Sequence, residues 1–524
     1  PQPCPDIEIS PKRLRPRFSG VMQPARERPR LVSPPVTQLT ELVAGINDVY
    51  WYGVIALLVI AGLYFSVTTL IVQIRLFPEM LRTITEKPSD IEPDKKGISA
   101  FRAFTISAAS RVGTGNVAGV AIAITVGGPG AVFWMWLLAI IGGATAFIES
   151  TLAQLYKVKG RDSYVGGPAY YIRDGLGWKP VAVAFAVIIT VTYGFVFNAV
   201  QANSISESVR NQFDLQGTGA GIAIGLGLAL VTGLVIFGGV RRLSAVTEIL
   251  VPVMAAAYVV VALIVVAINI TEVPDMIGLI VGHALGFREI AGATIGAAIM
   301  QGMRRGLFSN EAGMGSVPNA AATASVSHPV KQGLVQSLGV YFDTLVVCSA
   351  TAFIILLADP EFGGDREGIT LTQDSLASQV GEWGVPFLMV VIFFLAFSSI
   401  LGNSYYGEAN INFLRDSPRS INVFRALVLL AVFGGALGSV DLVWGLADLF
   451  MGFMATINLI AILPLGGLAV ALLRHYLQQK TKGHNPVFHR DDLPRARNVT
   501  AWDGSDPMTH QHIADDAREV KADE

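Results

Sequence analysis

The sequence predicts an all-α polytopic membrane protein in which one leading span precedes two halves of five spans each. Three observations carry this expectation. The 524 residues are 52% hydrophobic and only 15% charged, against about 25% charged for an ordinary soluble chain. Apolar windows of about 20 residues, long enough to cross the hydrocarbon layer, recur about eleven times. The second and seventh windows are interrupted by glycines and polar residues at corresponding places in the two halves, the pattern of inverted-repeat carriers.

The expected spans are 48–71, 99–125, 130–155, 180–204, 219–238, 245–269, 289–323, 333–358, 384–410, 421–439 and 442–473. Repeat one then covers about 99–270 and repeat two about 289–473. Five is odd, so the halves face opposite sides of the bilayer. Residues 45–475 form the transmembrane domain, residues 1–44 read as a disordered, basic, proline-rich tail, and residues 476–524 as a polar tail, disordered or loosely docked.

Positive charge marks the cytoplasmic side. Arg75, Arg82, Lys87, Lys95 and Lys96 lie between spans one and two; Lys157, Lys159, Arg161, Arg173 and Lys179 follow span three. Arg415 and Arg419 follow span nine, and the C-terminal tail adds Arg474, Lys480, Lys482, Arg490, Arg495 and Arg497. The alternate loops are nearly bare, with none at 126–129 and Arg210 alone after span four. This pattern places the C-terminus inside. The N-terminal tail disagrees, since eleven spans put its seven basic residues outside. A disordered extension, or a start site further downstream, is preferred over a span count wrong by one. The tail has no apolar h-region and is no secretory signal.

Composition removes several function classes. A net charge of −2 argues against nucleic acid as a partner. Cys4 and Cys348 lie in a polar tail and an apolar span, which gives no disulfide framework, and no histidine pair has ligand spacing. No nucleophile–base set, phosphate loop or cofactor motif is visible, so no catalytic residues and no enzyme are expected. A sensor or channel built on a carrier scaffold is a less favoured alternative.

The first interruption reads Arg111-Val112-Gly113-Thr114-Gly115-Asn116-Val117-Ala118-Gly119, and the second Arg305-Gly306-Leu307-Phe308-Ser309-Asn310-Glu311-Ala312-Gly313-Met314-Gly315-Ser316. Lipid cannot satisfy loosened backbone, so such breaks survive only where protein or a bound solute does. Other glycines, such as Gly142-Gly143 and Gly221–Gly227, read as close helix packing.

Further motifs accompany the breaks: Gly127-Gly128-Pro129-Gly130-Ala131-Val132-Phe133-Trp134-Met135-Trp136, Gly166-Gly167-Pro168-Ala169-Tyr170-Tyr171-Ile172 and Leu401-Gly402-Asn403-Ser404-Tyr405-Tyr406-Gly407-Glu408-Ala409-Asn410. Together, over about 45–475, these resemble the alanine or glycine:cation symporter family of bacterial and archaeal amino-acid carriers. The resemblance implies a leucine-transporter-like 5+5 inverted repeat with one additional helix in front. It also implies sodium-driven uptake of small neutral amino acids, alanine and glycine, across the cytoplasmic (inner) membrane of a prokaryote. Sodium is then a coupling ion rather than a cofactor. Besides the lipid bilayer no partner is implied, and the oligomeric state stays open, a monomer included.

These residues suit that chemistry. A half-helix N-terminus favours a carboxylate; Gly113 and Gly115 allow close backbone approach, and Thr114 and Asn116 add polarity. Carbonyls of Phe308, Ser309 and Asn310 would receive the ammonium, while Phe308 and Met314 would exclude larger side chains. Gln201, like Asn203, either faces the substrate path or caps its helix. Sodium takes several oxygen ligands, as other hard cations do. In leucine-transporter-like folds one sodium site lies between the first broken helix and the eighth core helix, which here offers Ser398, Ser399 and Asn403 opposite Thr114. Ser398 and Ser399 have the alternative of bonding back to their own helix. Serine-rich ligation favours sodium, although carboxyls at membrane depth also allow proton coupling.

Ionisable residues at membrane depth are functional candidates. Glu149, Glu248, Glu408 and Asp448 read as structural ion pairs or interfacial anchors. Arg111, Arg304, Arg305, Glu311 and Asp343 read as gate residues, with Asp343 or Glu311 expected opposite Arg304 or Arg305 at an inner gate.

Overall fold

The computed structural model describes residues 34–88, 90–92, 95–160, 163–288, 294–360 and 368–505. The basic tail up to residue 33 and the last residues, 506–524, lie outside them. Among the described residues nine helices are long and apolar enough to cross a membrane, and a bent helix pair supplies a tenth crossing.

The leading helix α1 (Pro34–Thr68) starts ahead of the boundary expected at residue 45. Prolines are tolerated in a first turn, where amides have no helix partner. Two short helices, α2 (Val72–Arg75) and α3 (Phe77–Ile84), follow. The second expected span is α4 (Ala100–Arg111), a π-helical turn over Gly115–Gly119, and α5 (Val120–Gly127), the pair bending by 53°. Ser99 caps α4 by accepting the Arg102 amide at 3.1 Å. Helix α6 (Gly130–Leu155) has the expected bounds. A small hairpin, Val158–Lys159 against Tyr164–Val165, leads to α7 (Pro168–Gly175).

Helices α8 (Lys179–Val191) and α9 (Phe197–Gln212) form one span through a π turn at Thr192–Val196. Repeat one closes with α10 (Thr218–Ile236) and α11 (Gly239–Ile268), and α12 (Val273–Ala284) leads to the second repeat. The seventh expected span is α13 (Ile295–Asn310), an unwound stretch and α14 (Val317–Ala321). At 16 residues α13 is about 24 Å long, short of the hydrocarbon thickness of about 30 Å. The remainder is α15 (Pro329–Tyr341) with a π turn at Phe342–Cys348 and α16 (Ser349–Leu356), then α17 (Gly368–Val380), α18 (Gly384–Leu414), α19 (Pro418–Leu437) and α20 (Val440–Thr481).

Counterparts in the two repeats pack on one another: α5 on α13, α6 on α15, α9 on α18, α10 on α19. Such pairing is consistent with a pseudo-two-fold axis between the two repeats. Helix α1 lies outside it, along α20 and α6.

The polar tail is ordered in its first part. Helix α20 runs on to Thr481, and residues 484–505 fold back over one end of the bundle. The Trp502 indole donates to the Gln154 carbonyl at 2.9 Å, with the Lys157 ammonium 4.1 Å from its ring. Phe488 is fully buried, and its amide donates to the Ser327 carbonyl. Arg495 donates to the Gly467 carbonyl and Asn498 to that of Asp174. A few aromatic anchors thus dock a segment that composition alone reads as disordered or loosely docked.

Candidate functional site

The two breaks face each other at the centre of the bundle. After Arg111 the chain leaves the helix because its amides find side-chain acceptors. Gly113 N–H donates to Asn116 Oδ1 at 2.9 Å, and Thr114 N–H to Gln201 Oε1 at 3.0 Å. Those two amides would otherwise bond the carbonyls of Ala109 and Ser110, which are thereby released toward α18. Gly402 permits the approach: a Cβ there would fall 2.8 Å from the Ser110 nitrogen. A Cβ on Gly113 would fall 2.1 Å from Ser399 Oγ, and one on Gly115 2.7 Å from the Phe308 ring. Both glycines are fixed by contact.

In the second break Glu311, Gly313 and Gly315 all have positive φ (57°, 86° and 81°). The amides that would continue α13 are engaged elsewhere: Ala312 N–H with Asn310 Oδ1, Gly313 N–H with Glu149 Oε1 at 3.1 Å, and Met314 N–H with the Glu311 carbonyl. The carbonyls of Phe308, Ser309 and Asn310 therefore lack their helix partners. Glu149, from α6, also accepts Gly315 N–H at 3.2 Å and Asn458 Nδ2 at 2.7 Å, and Tyr171 donates to Asn458 in turn. Glu149 is thus the cap of the break, a role missed in the sequence. Its place among apolar neighbours at membrane depth was the available signal.

Asn116 ties the breaks together. Its amide nitrogen lies 2.7 Å from Asp343 Oδ1 and 2.9 Å from Ser309 Oγ, and Ser309 donates to Asp343 Oδ2 at 2.5 Å. Phe308 lies between Phe197 and Trp444, each ring 4.8 Å away and tilted by 47° and 45°, closing one side of the cluster. Met314 lies beyond Glu311 against Tyr193. Of the pair Gln201 and Asn203, the first belongs to the site and the second caps α19 through the carbonyls of Gly435 and Gly438.

The residues expected to hold an ion are partly assembled. Ser399 lies against Gly113, and Asn403 Oδ1 is 2.8 Å from Ser110 Oγ. Thr114 Oγ1 and Asn403 Nδ2 are buried without a hydrogen-bond partner. Ser398 and Ser399 both donate to the Leu395 carbonyl, at 2.8 and 3.0 Å, the alternative that was left open. Hydroxyl, amide and released carbonyl oxygens thus gather between α4 and α18, a donor set that suits a hard monovalent cation. Among the described residues no group of histidine, cysteine and carboxylate ligands suits a transition metal.

The gate expectation needs correction. Neither Asp343 nor Glu311 meets Arg304 or Arg305. Asp343 is held by Asn116 and Ser309, and Glu311 accepts from Ser110 and Ser316 at 2.8 and 2.7 Å. The positive φ at Glu311 turns the chain out of α13 at that residue. Arg305 instead pairs with Asp448 of α20 over the Trp444 ring, and Arg304 donates to the Asn47 carbonyl at 2.8 Å. Arg111 lies apart from them, buried against α15 and donating to the Gln336 carbonyl at 3.3 Å. Glu408 forms a two-bond pair with Arg425.

Removing the Asp448 charge leaves Arg305 buried without its anion. Asp448→Asn is expected to cost about 3–5 kcal/mol, read as a lower unfolding midpoint of purified protein. Replacing both partners with apolar residues, Arg305→Met with Asp448→Leu, should restore most of it. A double variant no more stable than Asp448→Asn would disprove the ion-pair assignment.

Comparison with known proteins shows the family and the fold. The family model described as the sodium:alanine symporter family matches residues 36–490. The probable sodium/glutamine symporter GlnT of Bacillus subtilis (strain 168) is 48% identical over 477 residues, covering 91% of this chain and 98% of that one. The sodium/alanine symporter AgcS of Methanococcus maripaludis is 38% identical over 439 residues, covering 82% and 95%. Among solved structures, MhsT in complex with L-phenylalanine superposes with a TM-score of 0.53 at 10% identity, over 72% of this chain and 98% of that one. At that identity the likeness speaks for the fold, which is the leucine-transporter-like inverted repeat. The chain is a multi-pass membrane protein, and it belongs to the sodium:alanine symporter family.

Proposed function

We propose that the chain is a secondary active transporter that moves small neutral amino acids, alanine and glycine, together with sodium across the cytoplasmic membrane. One observation carries the reading: two helix breaks face each other with released carbonyls on both and hydroxyl oxygens of α18 alongside. The substrate carboxylate takes over the Thr114 amide from Gln201, and its ammonium meets the carbonyls of Phe308 and Ser309. Charge balance points the same way. Glu149, Glu311 and Asp343 are buried around the breaks, and Arg111 is the cation whose charge reaches all three. A dry site with more acid than base favours a cation over an anion. The names of the sodium-coupled relatives support sodium as that cation. Positive-inside loops orient the strap of residues 484–505 inward and the Arg305–Asp448 pair outward, and access alternates by rocking one helix group against the other.

The test is uptake of labelled alanine into liposomes holding the purified protein, with sodium replaced by choline at fixed pH. Uptake should fall to background. Uptake that persists in choline and follows an imposed pH gradient instead would assign the coupling to protons. A second reading, glutamine as cargo, is favoured by the name of the 48% identical Bacillus relative. The same liposomes should accumulate alanine and glycine but not glutamine, because Phe308 closes over Gly115.

A further inference from the structure

A cavity of about 510 Å³ opens on the flank of the bundle, between the α8–α9 span and the start of α19. Its origin is local. Gly194 and Gly407 have no side chains, and the Phe424 ring fills the space; a Cβ at either would fall within 2.4 Å of that ring. With Phe424 turned inward, its neighbours leave a trough. The wall is carbon: Phe195, Val423 (55% exposed), Leu427 (44% exposed), and Thr190, whose hydroxyl is spent on the Ala186 carbonyl. The rim is cationic. Arg415 and Arg419 line it, and neither guanidinium has a hydrogen-bond or ion-pair partner among the described residues. The hydroxyls of Ser417 and Ser420 line it beside them, while Asp416, between the arginines in sequence, does not. The rim lies at the α7 end of the bundle, the end that carries residues 484–505.

We propose that this trough is a binding site for one anionic phospholipid, its phosphate held by Arg415 and Arg419 and one acyl chain laid along Phe195, Val423 and Leu427. Charge complementarity selects the occupant. Two cations without a partner among the described residues, beside an apolar trough, match a headgroup joined to a tail, and basic pockets between spans on the inner side are suited to such lipids. A zwitterionic lipid would gain the channel but set its own cation against the arginines. Free phosphate would gain the rim and leave the channel empty.

The test is native mass spectrometry of the full-length, delipidated protein titrated with phosphatidylglycerol, or with phosphatidylcholine of the same chains. Phosphatidylglycerol should bind at one saturable site with clear preference. Arg415→Gln with Arg419→Gln should weaken it about 25-fold, about fivefold for each arginine near the surface. Val423→Trp keeps both charges but fills the channel, and should also lose the saturable component. Inorganic phosphate at millimolar concentration should not displace the lipid. Undiminished binding by the double glutamine variant would overturn the proposal, as would displacement by phosphate alone. Should that double variant fail to purify folded, Val423→Trp decides: unchanged preference would mean a diffuse surface effect and no built site.

Discussion

Glu149→Ala is expected to abolish transport and to destabilise the folded chain by about 2–6 kcal/mol. Two buried backbone amides, those of Gly313 and Gly315, would lose their acceptor, each at about 1–3 kcal/mol. Asn458 keeps the Gly313 carbonyl as an alternative acceptor and adds little. Glu149→Gln retains one carbonyl oxygen and should lose about half as much. The readouts are the unfolding midpoint in detergent and alanine uptake in liposomes. An alanine variant that keeps both would show that the second break holds its shape without its cap. Loss of uptake with an unchanged midpoint would instead assign the carboxyl to the transport cycle alone.

Gly113→Ala should have the next largest effect, and of a different kind. The added methyl lands on Ser399 Oγ and close to Gln201 Oε1, at 2.1 and 3.0 Å. One contact belongs to the proposed ion site and the other to the group that holds the Thr114 amide. We expect the sodium concentration for half-maximal uptake to rise at least tenfold, on the order of 1.4 kcal/mol or more. Removing the hydroxyl, Gly113→Ala with Ser399→Ala, relieves the overlap but not the missing ligand. That double variant should recover thermal stability while its sodium dependence stays weak. Recovery of both would mean that Ser399 is a spacer and not a ligand.

Much of this arrangement is legible in the chain because lipid enforces it. Span lengths follow from hydrocarbon thickness, so Gly130–Leu155 matches its expected bounds and ten of the eleven expected windows meet a spanning helix or the bent pair, while the seventh meets the shorter α13. Both breaks were legible for the same reason, since unpaired backbone stands out against apolar surroundings. Side-chain pairing was not. Arg305 meets Asp448 across 143 positions of sequence, and no local pattern says which carboxyl a buried arginine will find. Gln201 and Asn203 show how fine the distinction is. Two residues along a helix are about 200° apart around its axis, so one enters the site and its near neighbour caps α19. The choice between a disordered and a docked tail stayed open for another reason: Phe488 and Trp502 are too few to register in composition, yet each is buried at a named contact.

That tail carries a mechanical implication. Its contacts span several helices: Trp502 holds the end of α6, Phe488 joins the approach to α15 and His475 of α20, and Arg495 and Asn498 hold α20 and α7. In a carrier that rocks one group of helices against another, such a fastening favours the state in which its contacts are made. Their free energy enters the balance between inward-facing and outward-facing states, where each 1.4 kcal/mol shifts the resting ratio about tenfold. Shortening or loosening the tail would then tune turnover from outside the membrane, without any change to the residues that touch cargo or ion.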